Sequence, residues 1–250
     1  MKPTLYAIFV AALMIFSISG SASMIIPAND NAKDNSAAPE KSPAIGDNWD
    51  IGRVDFIHYA KPESPAKPGK TTTCYKLMGV KWNTFPVNYA INPTNTQGLS
   101  ESFITSKIST SAEAWDAATS KELFNNEYAV NDTAVYRVYN GQNAIVFGPY
   151  PNNGVIAVTS VWYSKRTRQI LEFDMLFNTY FAWGNAEANP LLMDLQNIAT
   201  HELGHSVGMN DIYTTTCSAV TMYGYSWEGD IDKRSLEQPD ITGLRSMYGA

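Results

Sequence analysis

The sequence predicts an α+β domain in which strands come first and a histidine-bearing helix follows. Two observations lead to this fold class. Five short segments have the apolar pattern of strands with a buried face. The segment from residue 190 onward instead repeats its apolar residues every three to four positions, as a helix does. The strand-like segments are residues 85–91, 134–139, 144–147, 155–163 and 170–178.

Three helices complete the predicted domain. Ser100 can cap the first of them. In the second, Asn189 is expected as the N-cap and Pro190 as the first helical residue, with Asp194 near the positive end of the helix dipole. A final short helix is predicted over residues 239–247. The apolar stripe of the second helix, which the core must bury, consists of Leu192, Leu195, Ala199 and Leu203.

Residues 1–23 have the pattern of a secretory signal peptide. Lys2 supplies the positive start, an apolar run extends from Leu5 to Ile18, and the small residues at 19–23 suit cleavage. The apolar run is short for a membrane span. We therefore expect a secreted, extracellular protein. The alternative is an uncleaved signal that tethers the chain to the membrane.

Residues 24–73 have the composition of a propeptide or linker, and we expect most of this segment to be disordered. It is polar and interrupted by six prolines, at positions 27, 39, 43, 62, 65 and 68. Only the part from Asp50 to Tyr59 has some apolar pattern, and its His58 is expected to be a bystander. Residues 74–250 form the predicted globular domain.

Composition limits the partners and suggests the redox environment. The 250 residues carry a net charge of −6 and contain no basic patch with interleaved aromatics, which excludes nucleic acid as an expected partner. We expect a soluble monomer. Two cysteines, Cys74 and Cys217, favour a disulfide in an exported chain. The competing interpretation makes Cys74 an inhibitory thiol that binds a metal.

The segment from His201 to Asp211 predicts a metal site. His201 and His205 are four residues apart and therefore lie on one face of a helix, where both imidazoles can bind one tetrahedral zinc ion. Gly208 lets the helix end in a left-handed turn, so that Asp211 can supply a third ligand. The alternatives are two incidental histidines on a solvated helix face and a turn role for Asp211. The first is disfavoured because the chain has only three histidines.

The sequence around this motif resembles the matrixin branch of the metzincin metallopeptidases. The resemblance covers residues 74–250 and is densest from residue 170 onward. Its characteristic residues are the segment 201–211, Met222 within residues 218–225, the segments 238–249 and 173–178, Trp183, Lys81 with Trp82, and residues 86–92.

This resemblance implies a twisted five-stranded mixed sheet with an active-site helix and a C-terminal helix. Met222 would form the structural Met-turn beneath the ligands without binding the metal. The segment from Gly154 to Val158 would be the edge strand that binds protein or peptide substrate as an added strand. Residues 223–238 would form the wall of the main side-chain pocket. One catalytic zinc ion is implied, and calcium is compatible with the family but has no residues assigned.

The sequence thus predicts a secreted zinc-dependent endopeptidase. Zinc would be held by His201, His205 and Asp211, and Glu202 would assist the attack of a zinc-bound water on the peptide bond. The alternative is an exported zinc-containing binding or adhesion module without turnover. Three departures from the family stand out: Asp211 replaces the usual third histidine, Gly224 replaces a proline, and residues 24–73 lack the Pro-Arg-Cys-Gly inhibitory motif. Latency would therefore need another mechanism.

Overall fold

A computed structural model describes residues 50–60 and 73–250, and this part of the chain contains three helices and nine strands. The helices are α1 (Glu101–Asp116), α2 (Leu195–Ser206) and α3 (Gln238–Tyr248). The strands are β1 (Ile51–Ala60), β2 (Ala90–Ile91), β3 (Ala129–Val130), β4 (Ala144–Gly148), β5 (Val155–Ser164), β6 (Ile170–Asn178), β7 (Trp183–Gly184), β8 (Met193–Asp194) and β9 (Tyr225–Ser226).

Seven strands form one mixed sheet in the order β3-β2-β4-β6-β5-β1-β9, and β7 pairs with β8 separately. From β3 to β6 neighbouring strands run parallel, whereas β5 runs antiparallel to β6. The predicted α+β fold, with its active-site and C-terminal helices, is confirmed. The five strands from β3 to β5 match the predicted sheet in number. Strands β1 and β9 extend it beyond the edge that was expected to bind substrate.

The core joins the sheet to α1 and α2. The stripe of α1 that faces the core includes Ile104, Ile108 and Trp115, all fully buried. The Trp115 indole Nε1 donates to the carbonyl of Thr200 on α2 at 2.8 Å, which fixes one helix against the other. Because α2 packs between α1 and β5, both of its histidines are buried.

Helix α2 begins later than predicted. Asp194, not Asn189, is the N-cap, and its carboxylate accepts from the backbone N–H of Asn197. Pro190 lies in the turn before the helix, where the Asn189 side chain accepts from the N–H of Leu191. The physical reason is the pairing of β7 with β8, which holds Met193 and Asp194 in an extended conformation.

The strand predicted at residues 134–139 is absent from the described residues, and the segment consists of turns and loop. Its backbone is held by buried carboxylates of β6 instead of a strand partner. Asp174 accepts from the N–H of Val138, and Glu172 accepts from the N–H groups of Asn140 and Gly141. The segment 85–91 is also less regular than predicted, since only β2 is strand there.

Strand β1 lies within the segment 24–73, which was expected to be largely disordered. Ten of those residues form a strand that pairs antiparallel with β5 along almost its whole length. Asp55 on β1 is buried, accepts from Ser160 Oγ at 2.7 Å and forms an ion pair with Arg137 at 2.8 Å. The partner strand β5 lies about a hundred residues further along the chain, so the composition of β1 alone does not reveal the pairing.

The expected signal peptide, residues 1–23, lies outside the described residues, as do residues 24–49 and 61–72 of the expected propeptide. Among the helices of residues 50–60 and 73–250, none is long and apolar enough to cross a bilayer.

The predicted disulfide between Cys74 and Cys217 is confirmed, which leaves no free thiol on Cys74 to bind a metal. The bridge spans 143 positions of sequence and ties the start of the described domain to the loop that follows Asp211.

Replacing both cysteines with serine is expected to lower the free energy of unfolding by about 4–5 kcal/mol, because a long loop gains entropy in the unfolded chain when the bridge is lost. Denaturant unfolding of the oxidised protein and of the Cys74→Ser/Cys217→Ser variant measures the difference. The reduced wild-type protein is the control and should match the variant. A loss below about 1 kcal/mol would show that the bridge does not constrain the unfolded state in this way.

Candidate active site

Three side-chain atoms converge at the end of α2. Asp211 Oδ1 lies 3.2 Å from His201 Nε2 and 3.4 Å from His205 Nε2, and the two imidazole nitrogens are 3.2 Å apart. Ligands at about 2.0–2.2 Å from a tetrahedral zinc ion are separated by roughly this distance. The three residues are buried and form a group that could hold a metal ion.

Backbone carbonyls orient both imidazole rings. His201 Nδ1 lies 2.8 Å from the carbonyl oxygen of Thr221, and His205 Nδ1 lies 3.1 Å from that of Met209. Since a carbonyl only accepts, each Nδ1 carries the proton and each Nε2 presents a lone pair toward Asp211. Sequence reasoning missed these two carbonyls because main-chain atoms leave no residue-type signal.

Asp211 brings a buried negative charge to this group. The Tyr213 hydroxyl donates to Asp211 Oδ2 at 3.2 Å, but nothing among the described residues donates to the buried Oδ1. Burial raises the pKa of the Asp211 carboxyl, but the neighbouring His205 and His201 more than offset this and hold it well below its usual range. Burial also lowers the pKa of His201 to about 4, which keeps that imidazole neutral. A carboxylate and two imidazoles suit zinc.

The turn after α2 returns the chain to the histidines. Gly208 has a φ of +96°, and a β-carbon there would overlap the carbonyl oxygen of Val80. Only glycine fits both conditions, which confirms the turn expected at this position. The backbone N–H of Asn210 then donates to the carbonyl of Lys76, which fixes the residue before Asp211.

Met222 is fully buried against α2 at Gly204, between the two histidines of the helix. A β-carbon on Gly204 would overlap Met222 Sδ and lie 2.6 Å from Trp115 Cζ2. The glycine therefore allows the methionine and the tryptophan to approach the helix backbone that carries both imidazoles.

Gly204→Ala is expected to destabilise the protein by about 1–3 kcal/mol, because the added methyl overpacks this contact. Helix propensity alone predicts the opposite sign, a gain of about 1 kcal/mol. Thermal or denaturant unfolding of the variant measures which effect is larger. A stabilised variant would mean that Met222 and Trp115 move aside at little cost.

Glu202 is buried beside this group and both of its carboxylate oxygens are engaged. Thr159 on β5 donates its hydroxyl to Oε2 at 2.6 Å, and His58 Nδ1 lies 3.2 Å from Oε1. Burial raises the pKa of the Glu202 carboxyl to about 7.

His58 is therefore not the bystander that the sequence suggested. It is fully buried, its ring centroid is 4.0 Å from that of His201, and its Nε2 has no hydrogen-bond partner within residues 50–60 and 73–250. It also joins His201 and Glu202 in a second group that could hold a metal. This group shares His201 with the first, so the two are alternatives for one ion. Neither His58 nor Thr159 carries a local motif that would have revealed its place.

Strand β1 covers the histidines. The Phe56 ring stacks on the His205 ring with centroids 4.0 Å apart and planes inclined by 7°. Phe56 and His58 are two residues apart on a strand, so both side chains face α2. From the next residue, Tyr59, β1 pairs in parallel with β9, within the segment expected to form the pocket wall.

The amino-acid sequence is similar to those of known proteins. A family model described as matrixin matches residues 81–249. The chain is 28% identical to human neutrophil collagenase over 172 residues, which is 68% of this chain and 33% of that protein. It is 23% identical to human matrix metalloproteinase-15 over 184 residues, 70% of this chain and 26% of the other. The hatching enzyme of Paracentrotus lividus is 39% identical over 57 residues, 23% and 9% of the two chains. The chain thus spans a third or less of the length of these relatives.

Proposed function

Because this chain belongs to the matrixin family, we propose that it is a secreted zinc-dependent endopeptidase. The observation that carries the proposal is the convergence of His201 Nε2, His205 Nε2 and Asp211 Oδ1 beside the buried Glu202. The family is zinc-dependent, and the disulfide is consistent with an extracellular location.

Each residue has a defined role in this proposal. His201, His205 and Asp211 would hold the zinc ion, which when bound supplies a Lewis acid that polarises the scissile carbonyl and makes water a better nucleophile. Glu202 accepts a proton from the attacking water at one carboxylate oxygen and delivers it to the leaving amine. Thr159 holds the other oxygen through its hydroxyl and so keeps the carboxylate in place.

Substrate would bind as an extended strand along β5. The support is that β5 already accepts such a strand, since its outer edge pairs with β1 through the whole stretch from Val155 to Ser164. Backbone pairing of this kind holds a peptide regardless of its side chains, which suits an enzyme that cuts within protein chains.

Because β1 fills the cleft, the test uses the full chain after a brief treatment with trypsin, which is then inhibited. Lys70, which follows β1 and precedes Thr71, offers a cleavage site, whereas Lys61 and Lys67 each precede a proline and are not cut by trypsin. Hydrolysis of casein should appear after this treatment, disappear with a zinc chelator and return with added zinc. Casein that stays intact with zinc bound would favour the alternative, a zinc-containing binding module without turnover.

A further inference from the structure

Strand β1 lies between the edge strand and the pocket wall, where a substrate is expected. Its pairing with β5 runs from Ile51 opposite Ser164 to Tyr59 opposite Val155, and the N–H of Ala60 donates to the carbonyl of Gly154 at 2.9 Å. On its other side β1 pairs with β9. The main-chain groups that a bound peptide would use are therefore those that β1 uses now.

The direction of β1 follows from these two neighbours. It runs antiparallel to β5 and parallel to β9. A peptide that replaces β1 and makes the same main-chain bonds runs the same way. Its residues would pass Glu202 first and then reach β9, so the residues beside β9 follow the cleaved bond.

The pairing with β5 shifts by one residue between His58 and Tyr59. Such a bulge re-aims the side chains on either side of it. His58 meets Glu202, whereas Tyr59 packs in a separate apolar cluster beside β9, which we call the aromatic pocket. The residues of the aromatic pocket are Ile212, Tyr213, Cys217, Val220, Tyr223 and Tyr225.

The aromatic pocket has a composition that selects its occupant. Tyr213 and Tyr225 meet edge to face with centroids 5.2 Å apart, and Tyr223 and Tyr225 do so at 5.7 Å. Apolar walls and ring faces favour a large apolar or aromatic side chain and disfavour a charged one. The disulfide at Cys217 and the bond from buried Lys233 Nζ to the carbonyl of Tyr225 hold the walls of the pocket.

His58 explains why β1 can occupy the cleft without being a good substrate. Its Nδ1 lies 3.2 Å from Oε1 of Glu202, the oxygen that Thr159 does not hold, so the His58 ring occupies the space beside that oxygen. The ring also lies against His201. An uncharged small side chain at this position would leave Glu202 open.

We propose, on the basis of the function proposed above, that β1 is an internal pseudosubstrate: Tyr59 fills the pocket for the residue after the cleaved bond, and His58 blocks Glu202. The enzyme then prefers an aromatic residue after the cleaved bond, and the full chain stays latent until β1 leaves.

The first test uses a labelled peptide of residues 51–60 and the trypsin-treated chain without zinc, where no chemistry can occur. The peptide should bind, and the Tyr59→Asp peptide should bind at least about tenfold more weakly because it buries a charge in the aromatic pocket. An Ile57→Ala peptide is the control and should bind within about twofold of the parent, since its changed side chain faces away from α2. Equal binding of the Tyr59→Asp peptide would overturn the pseudosubstrate assignment.

The second test identifies the bonds cut in casein by sequencing the new N-termini. Aromatic residues should be enriched there, and the peptide of residues 51–60 should inhibit the cleavage competitively. Full-length Tyr59→Asp should hydrolyse casein faster than full-length wild type without trypsin, while Ile57→Ala should not. Casein cleavage without aromatic enrichment or peptide inhibition would refute this inference but leave the proposed function intact. If neither the full-length nor the trypsin-treated protein cleaved casein while the peptide bound as expected, the proposed endopeptidase function would be refuted. The position of β1 in the cleft would still stand.

Discussion

Glu202→Gln is expected to reduce casein hydrolysis by the trypsin-treated chain by about 10²–10⁴-fold, the usual contribution of a general base. The amide has nearly the same shape and can still accept the Thr159 hydroxyl bond, but it cannot take a proton from water. Zinc content should stay at the wild-type value, since Glu202 is not among the three converging ligand atoms. Measurements of kcat/KM and of bound zinc on the same preparation separate the two effects.

Glu113→Gln is the matched control, because it makes the same chemical change on an exposed face of α1. Its kcat/KM should be unchanged. If Glu202→Gln kept full activity, another group would have to accept the proton. If it lost zinc together with activity, the alternative metal group of His58, His201 and Glu202 would gain support.

Asp211→Ala is expected to weaken zinc binding by at least about 100-fold, because changes in residues that only support metal ligands already cost 10–100-fold. Loss of the carboxylate removes both a ligand and the negative charge that offsets the ion. Asp211→Asn keeps an oxygen but no charge, so its affinity should lie between those of the alanine variant and the wild type. Competition with a chelator of known affinity measures all three.

The result also tests the interpretation of Asp211 as a simple turn residue. In that case both variants would bind zinc normally, and the third ligand would have to be found elsewhere. Asp211→Ala should lose zinc but, in the presence of chelator, unfold at the same temperature as the wild type. That combination would show that Asp211 acts on the metal and not on the fold.

The motif at His201 was predictable because its geometry is local. Helical spacing places His201 beside His205, and the left-handed turn at Gly208 fixes the return of the chain to Asp211. Strand β6 was predicted with its observed bounds, since its apolar residues bury it in the sheet centre.

The remaining features depend on contacts far apart in the sequence. His58 meets Glu202 across 144 positions and Thr159 meets it across 43, and neither residue has a neighbour that signals this role. Strand β1 was missed because its partner β5 supplies the pairing that its own composition lacks. Asp194 was assigned to the helix dipole rather than to the cap because the short β7–β8 pairing has no sequence pattern.

The most direct test of the central claim is a zinc titration of the trypsin-treated, metal-depleted chain with casein hydrolysis as the readout. We expect the rate to rise in proportion to added zinc and to reach a plateau at one ion per chain, and Glu202→Gln to bind the same single ion without hydrolysis. Hydrolysis by the metal-free wild type, or one bound zinc ion without hydrolysis after the cleaved segment that contains β1 has been removed, would contradict this claim.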